Sequence, residues 1–344
     1  MRQQGITSHS PRTYGFVIYL LSLRQEVFRI SFHGFPVDPS RACCQGVNVL
    51  IVSYRTEEKW RAGIAEGPHL IDVAGLDRSS RPGFTTVRGL LEAGPAAVKQ
   101  ILDLAKGAFL GESEELILLG AIELGPPVPD PDKIICLGLN YPEHAAEFNA
   151  SVPPAPTFFA KFRNALSGPA SPIIIPRISD KIDYEGELAV VIGSRCKDVP
   201  ERDALAYVAG YTIINDISAR DLQMRTSQWT AGKTPDTFGP MGPGIVPAAD
   251  IPDPQALEIR TRVNGIELQH GHTKDMIFPV SGIIAFLSSL MTLEPGDIIA
   301  TGTPSGVGFK RQPPIFLKPG DVVEVEIKGI GVIRNPVVGP GFPV

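Results

Sequence analysis

Apolar residues in this chain come mostly in short runs rather than in long helical stripes. Val47–Tyr54, Lys133–Gly138, Ile173–Pro176, Glu187–Gly193, Tyr211–Asn215, Leu257–Val263, Asp297–Thr301 and Val322–Ile327 each read as a strand, and His69–Val73 adds a shorter one. Asn264-Gly265 between Val263 and Ile266 is hairpin punctuation. Helical spacing is confined to fewer places. Leu90, Leu91, Val98, Ile101, Leu102 and Leu104 predict one helix from about Leu90 to Gly107, and shorter helices are expected over Glu143–Phe148, Pro200–Val208 and Pro279–Ser289.

This order divides the chain. Residues 47–125 read as a small N-terminal α/β domain, and Gly125-Pro126-Pro127-Val128-Pro129-Asp130-Pro131-Asp132 as a stiff linker. Residues 131–338 form the main, strand-rich domain. The first 46 residues look foreign to both, with Arg2, Arg12, Arg24, Arg29 and Arg41 against only Glu26 and Asp38. They suit either a mitochondrial leader or an extension without structure of its own, so the compartment is read as cytoplasmic or mitochondrial.

Composition sharpens the picture modestly. The 35 glycines and 33 prolines favour many short strands joined by tight turns. A net charge of −5 carries no footprint for nucleic acid or an anionic membrane. No apolar stretch approaches the roughly 18–20 residues of a membrane span. The four cysteines, Cys43, Cys44, Cys136 and Cys196, show no C-x-x-C pair and are expected as free thiols.

The candidate chemistry starts with carboxylates. Glu185 and Glu187 open the apolar run Leu188–Ile192, and period-two geometry turns both to the side of Ala189 and Val191. Asp216 ends a second apolar strand in the same way. Like charges facing an interior are costly unless a positive group lies between them. Three carboxylates without thiol or imidazole partners suit a hard divalent cation, Mg²⁺ before Mn²⁺ or Ca²⁺. Spacing alone leaves the alternative open that the glutamates are solvated at a strand end and Asp216 caps a turn. Gly232-Lys233-Thr234 is not a phosphate loop, because the upstream glycine of that motif is absent. No G-x-S-x-G nucleophile elbow occurs, which argues against a serine hydrolase. His270-Gly271-His272 reads as a polar turn, and Phe158-Phe159-Ala160 as core.

Eight motifs in order resemble the fumarylacetoacetate hydrolase superfamily: GLNYPEHAAEFN (138–149), PTFFAKFRNALSGP (156–169), DYEGELAVVIG (183–193), YVAGYTIINDISARDLQMR (207–225), QWTAGKTPDTFGPMGP (228–243), MIFPV (276–280), TLEPGDIIATGTPSGVG (292–308) and FLKPGDVVEVEIKGIGVIRN (316–335). The Arg311–Lys318 segment and the DLQMR and QW elements are most similar to the fumarylacetoacetate hydrolase domain-containing protein 2 branch, which is associated with oxaloacetate keto–enol tautomerisation. The resemblance implies a mixed, β-rich α+β fold, a β-sandwich roll, commonly a homodimer, with Glu185, Glu187 and Asp216 holding one Mg²⁺ or Ca²⁺. It implies a small 2-oxo or 2,4-dioxo acid as substrate. It also implies a catalytic Lys233 of lowered pKa and a His144–Glu147 pair on a lid. Lys161, Arg220, Gln223 and Thr303 are expected to contact substrate. Tautomerisation of oxaloacetate is the leading reaction; C–C hydrolysis of an acylpyruvate or fumarylpyruvate, and decarboxylation of oxaloacetate, are the alternatives.

Overall fold

A computed structural model describes residues 49–343 apart from 58, 77–81, 112–115 and 150. The leader, Cys43, Cys44 and the first two residues of the opening strand lie outside the described residues. Eighteen strands are seen among the described residues: β1 Leu50–Thr56, β2 Lys59–Glu66, β3 His69–Asp72, β4 Ile117–Leu118, β5 Ile134–Gly138, β6 Thr157–Lys161, β7 Leu166–Ser167, β8 Ile173–Ile174, β9 Ile182–Asp183, β10 Gly186–Ile192, β11 Val208–Asn215, β12 Ser218–Ala219, β13 Gly239–Pro247, β14 Glu258–Val263, β15 Ile266–His272, β16 Ile298–Ala300, β17 Val322–Ile327 and β18 Gly331–Val338. The helices are α1 Val73–Leu76, α2 Val87–Glu92, α3 Pro95–Leu110, α4 Pro142–Glu147, α5 Arg220–Gln223, α6 Thr230–Lys233 and α7 Val280–Leu290.

One large sheet runs β4-β3-β2-β1-β13-β11-β10-β16-β5-β6, with β7 joined to β13. A second runs β15-β14-β17-β18-β8, and β9 pairs with β12. The alternation along β10 explains how these layers stack. Leu188, Val190 and Ile192 share a core with Ile259, Val325, Ile327 and Ile333 of the second sheet. Ala189 and Val191 face the other way, into a core with Val87, Leu90, Leu91 and Ile101 of α2 and α3. A strand buried on both faces must be apolar throughout, as Leu188–Ile192 is. The result is a mixed, sheet-rich α+β sandwich.

Several local expectations need correction. The helix expected over Leu90–Gly107 is two helices, because Gly94 adopts φ 91° and Pro95 starts α3 at its first position. Pro200–Val208 holds a 3₁₀ helix, Glu201–Tyr207, not an α-helix. His270-Gly271-His272 is the end of β15 rather than a turn, and His270 Nε2 lies 2.6 Å from Glu258. Of Phe158-Phe159-Ala160, in β6 at the edge of the large sheet, only Phe159 packs against the core; Phe158 and Ala160 are exposed. Strands from both sides of the 125–132 linker share one sheet, since β1 pairs antiparallel with β13 through Ile51 and Ile245.

Candidate active site

The site forms where β10 and β11 meet. Gly186 is in register with Asn215, which brings the residues flanking Gly186 beside Asp216. Asp216 N donates to Glu185 O at 2.8 Å, and Glu185 N donates to Asn215 Oδ1 at 3.0 Å. The second sheet passes so near that a Cβ at position 186 would lie 2.3 Å from Thr261 Oγ1. Only glycine fits between the two glutamates. One oxygen from each of Glu185, Glu187 and Asp216 falls within 4.8 Å of the others, and all three residues are buried.

Three cations answer these anions unevenly. Lys161 Nζ lies 2.5 Å from Asp216 Oδ1 and donates to Ile217 O at 3.2 Å. Lys233 Nζ donates to Glu185 Oε2 at 2.6 Å and to Asp216 Oδ2 at 2.8 Å. Arg220 Nη2 lies 2.7 Å from Glu185 Oε1 and 2.8 Å from Asp183 Oδ2, while its Nη1 donates to Gln223 Oε1 at 3.0 Å. Glu187, 1% exposed, has no such partner among the described residues; Gly302 N donates to its Oε2 at 2.8 Å.

Electrostatics follow this imbalance. Burial pushes the Glu187 carboxyl up, Asp216 and Glu185 push it further, and Lys233 does not compensate, so it stands well above the usual carboxylate range. Glu185 goes the other way: burial would raise it, but Arg220 and Lys233 hold it well below normal. Lys233 corrects an expectation. Burial alone would lower its pKa, as anticipated, yet Asp216 and Glu185 more than reverse that and leave it raised. Its ammonium is therefore held charged.

Four carboxylates, counting Asp183, thus face three side-chain cations. The cluster is balanced when Glu187 keeps a proton, and a bound cation would take that proton's place. The residues present therefore fit a divalent metal: three oxygen donors converge, one of them lacking a counter-charge.

A cavity of about 110 Å³ opens onto the cluster. Glu185, Glu187, Lys233, Arg220, Gln223, Thr303 and His144 line it. His144 Nδ1 sits 3.0 Å from Glu147 Oε2, the i,i+3 pair expected on α4, and the helix is docked rather than free: Glu147 Oε1 accepts from Gly306 N at 2.8 Å. Lys161 is not among the lining residues; it packs behind Asp216. Thr303 reaches the cavity, but its hydroxyl donates to Gly186 O at 3.0 Å and accepts from Gln269 Nε2 at 2.8 Å, so its proton is already committed. Sequence reasoning missed the apolar wall of Phe148, Phe159, Met224 and Trp229. Phe159 and Trp229 pack edge to face at 5.6 Å, and the Phe159 ring lies 4.9 Å from Lys233 Nζ. The signal available was position: Phe159 stands two residues from Lys161, and Trp229 four from Lys233.

A sheet-rich sandwich that buries three carboxylates at the ends of two adjacent strands is the architecture of a metal-assisted enzyme family acting on small molecules. The chain belongs to the fumarylacetoacetate hydrolase family, whose "Fumarylacetoacetate (FAA) hydrolase C-terminal" profile matches residues 133–338. The chain is 45% identical over 277 residues to "Oxaloacetate tautomerase fahd2, mitochondrial" of Xenopus laevis, covering 80% of this chain and 84% of that one. Among solved structures it resembles the fumarylacetoacetate hydrolase of Exiguobacterium antarcticum, with 34% identity, TM-score 0.69, and 85% and 100% of the two chains covered. Maleylpyruvate hydrolase of Sphingobium matches at 31% identity and TM-score 0.69 over 84% and 99%. Members of the family are isomerases and hydrolases, and this chain is an enzyme of that kind.

Proposed function

We propose that the protein is a Mg²⁺-dependent tautomerase that interconverts the enol and keto forms of oxaloacetate. The observation that carries this is the buried cluster with one uncompensated carboxylate, Glu187, at the floor of a small cavity. The tautomerase names of relatives at 39–45% identity support the choice of reaction. Glu185, Glu187 and Asp216 would hold the metal, which as a Lewis acid stabilises negative charge on a 2-oxo acid's enolate oxygen.

The protein's own groups do the rest. The Lys233 ammonium, fixed by two carboxylates, faces the cavity as a permanent positive charge beside the substrate oxygen; its raised pKa makes it a donor and not a base. With His144 Nδ1 engaged by Glu147, Nε2 is the ring nitrogen left to carry a proton to or from the substrate's C3. The balance is one proton passing from the enol oxygen to solvent and one delivered to C3 by His144 Nε2, which takes its replacement from solvent. Gln223 accepts from Arg220 through Oε1, which leaves its amide N–H₂ to bind a substrate carboxylate. The wall of Phe148, Phe159 and Trp229 keeps water scarce and strengthens these charges. Lys161 and Thr303 act on substrate indirectly, by holding Asp216 and the 302–304 backbone.

We further read the chain as a homodimer, supported by the exposed Phe158 and Phe162 at the sheet edge, and as mitochondrial, supported by its Arg-rich first residues and the names of its relatives. No helix among the described residues is long and apolar enough to cross a membrane.

The test follows ultraviolet decay of enol-oxaloacetate with Mg²⁺ and with EDTA, and then measures pyruvate. Metal-dependent acceleration without pyruvate supports the proposal. Pyruvate formation replaces it with decarboxylation, and silence in both assays removes oxaloacetate as the substrate.

A further inference from the structure

Asp183 is fully buried, lies two residues before Glu185, and lines none of the cavity. Its carboxylate is nevertheless among the most heavily used in the protein. Oδ1 accepts from Gly308 N at 2.8 Å and from its neighbour Tyr184 N at 2.9 Å, and Oδ2 accepts from Phe309 N at 3.0 Å. Arg220 then adds Nε at 2.9 Å and Nη2 at 2.8 Å. The same Nη2 is 2.7 Å from Glu185 Oε1.

The 305–310 turn held by Asp183 is the one that carries helix α4. Ser305 Oγ donates to Glu143 Oε2 at 2.9 Å, Gly306 N donates to Glu147 Oε1 at 2.8 Å, and Lys310 Nζ sits 4.4 Å from the Phe148 ring. Tyr184 reinforces the link, its hydroxyl donating to Gly306 O at 3.1 Å. The turn reaches Asp183 only because residue 308 is glycine: a Cβ there would lie 2.7 Å from Asp183 Oδ1 and 2.1 Å from Ile315 O.

We propose that Asp183 is a positioning residue that couples the seating of helix α4 to the metal ligand Glu185, acting through Arg220. The inference rests on the reading of Glu185, Glu187 and Asp216 as metal ligands. Asp183 takes one side of the Arg220 guanidinium and so limits how far that charge neutralises Glu185. Without the Asp183 charge, Arg220 has Glu185 as its only carboxylate partner among the described residues, and the site becomes more positive by one unit. Both changes oppose a dication. The Phe309 N–H loses its acceptor at the same time, which loosens the turn beneath α4.

The experiment titrates Mn²⁺ alone into wild type and Asp183→Asn by calorimetry, and measures amide hydrogen exchange of both proteins free of metal. Expected in the variant are a ~10–100-fold weaker Mn²⁺ affinity and faster exchange across 305–309 and α4. A lower melting temperature with unchanged Mn²⁺ affinity would reduce Asp183 to a structural role and overturn the proposal. Wild type that binds no Mn²⁺ would overturn the metal reading and this inference with it. If Asp183→Asn does not fold, Arg220→Lys tests the link from the other side, since a lysine keeps the charge but loses the separate Nε bond to Asp183 and Nη1 bond to Gln223 that hold the guanidinium in place. Its Mn²⁺ affinity should fall similarly, and an unchanged affinity counts against the coupling.

Discussion

On the outward face of β14, β15 and β17, Arg262 meets Glu326 at 2.7 Å, Arg260 meets Glu258 at 2.7 Å, and His270 meets Glu258 at 2.6 Å. At the ends of β10 and β11, Lys161, Lys233 and Arg220 meet their carboxylates at similar distances. Distance does not distinguish the two clusters; water does. On the outer sheet each charge keeps part of its hydration, so any pair can be broken and resolvated at little cost. Around Glu185 the charges are buried, and removing one leaves another without a partner. The inner cluster therefore behaves as one unit, and its single mismatch, Glu187, is where a ligand is wanted.

That contrast can be broken most sharply at Glu187 itself. Glu187→Ala should lower turnover by ~10³-fold or more while the fold is kept, as read by the enol-decay assay alongside circular dichroism. Full activity would remove the metal from the mechanism. Lys233→Ala should reduce kcat by ~10²–10³-fold with a much smaller effect on Mn²⁺ affinity, and an unaltered rate would exclude the ammonium.

A subtler variant inverts the usual direction. The folded-state pKa of Glu187 is raised above its unfolded value, so its favourable contribution is present at acid pH and disappears as pH rises through the folded pKa. Metal-free Glu187→Gln should therefore be more stable than wild type at neutral pH, by on the order of 1–3 kcal/mol. The two should converge toward acid pH. Denaturant titrations at several pH values in EDTA would show this, and a less stable variant at neutral pH would contradict the charge assignment. At the mild end, Arg262→Ala on the outer sheet should change stability by no more than roughly 0.5 kcal/mol in the same titrations. A larger loss would mean that the outer cluster is not the loose set of pairs described above.

The carboxylates were legible in the sequence because a strand's two-residue period states which side chains share a face, and Glu185-Gly186-Glu187 ahead of an apolar run leaves little freedom. His144 and Glu147 were legible for the same reason at helical spacing. Phe159 and Trp229 were not, since an aromatic lining a cavity and an aromatic in a core look identical without their neighbours. The pKa of Lys233 was misjudged because burial was foreseeable, whereas the two carboxylates that overrule it converge from separate strands. Gly94-Pro95 did announce the break between α2 and α3, and apolar spacing on both sides masked it. Asp183 carried no signal of its own: a polar residue before a strand is ordinary until Arg220 and the 308–309 amides arrive from distant sequence.

The pairing of Ile51 with Ile245 has a practical consequence for anyone shortening this chain. The family profile begins at residue 133, and cutting at the preceding proline-rich stretch would look natural. Such a fragment would strip β1 from β13 and uncover the apolar floor under α2 and α3, Ile245 and Met241 included. An unpaired inner strand beside bare hydrophobic surface is a template for aggregation. The catalytic machinery would be complete on paper, and the protein carrying it would be expected in the insoluble fraction.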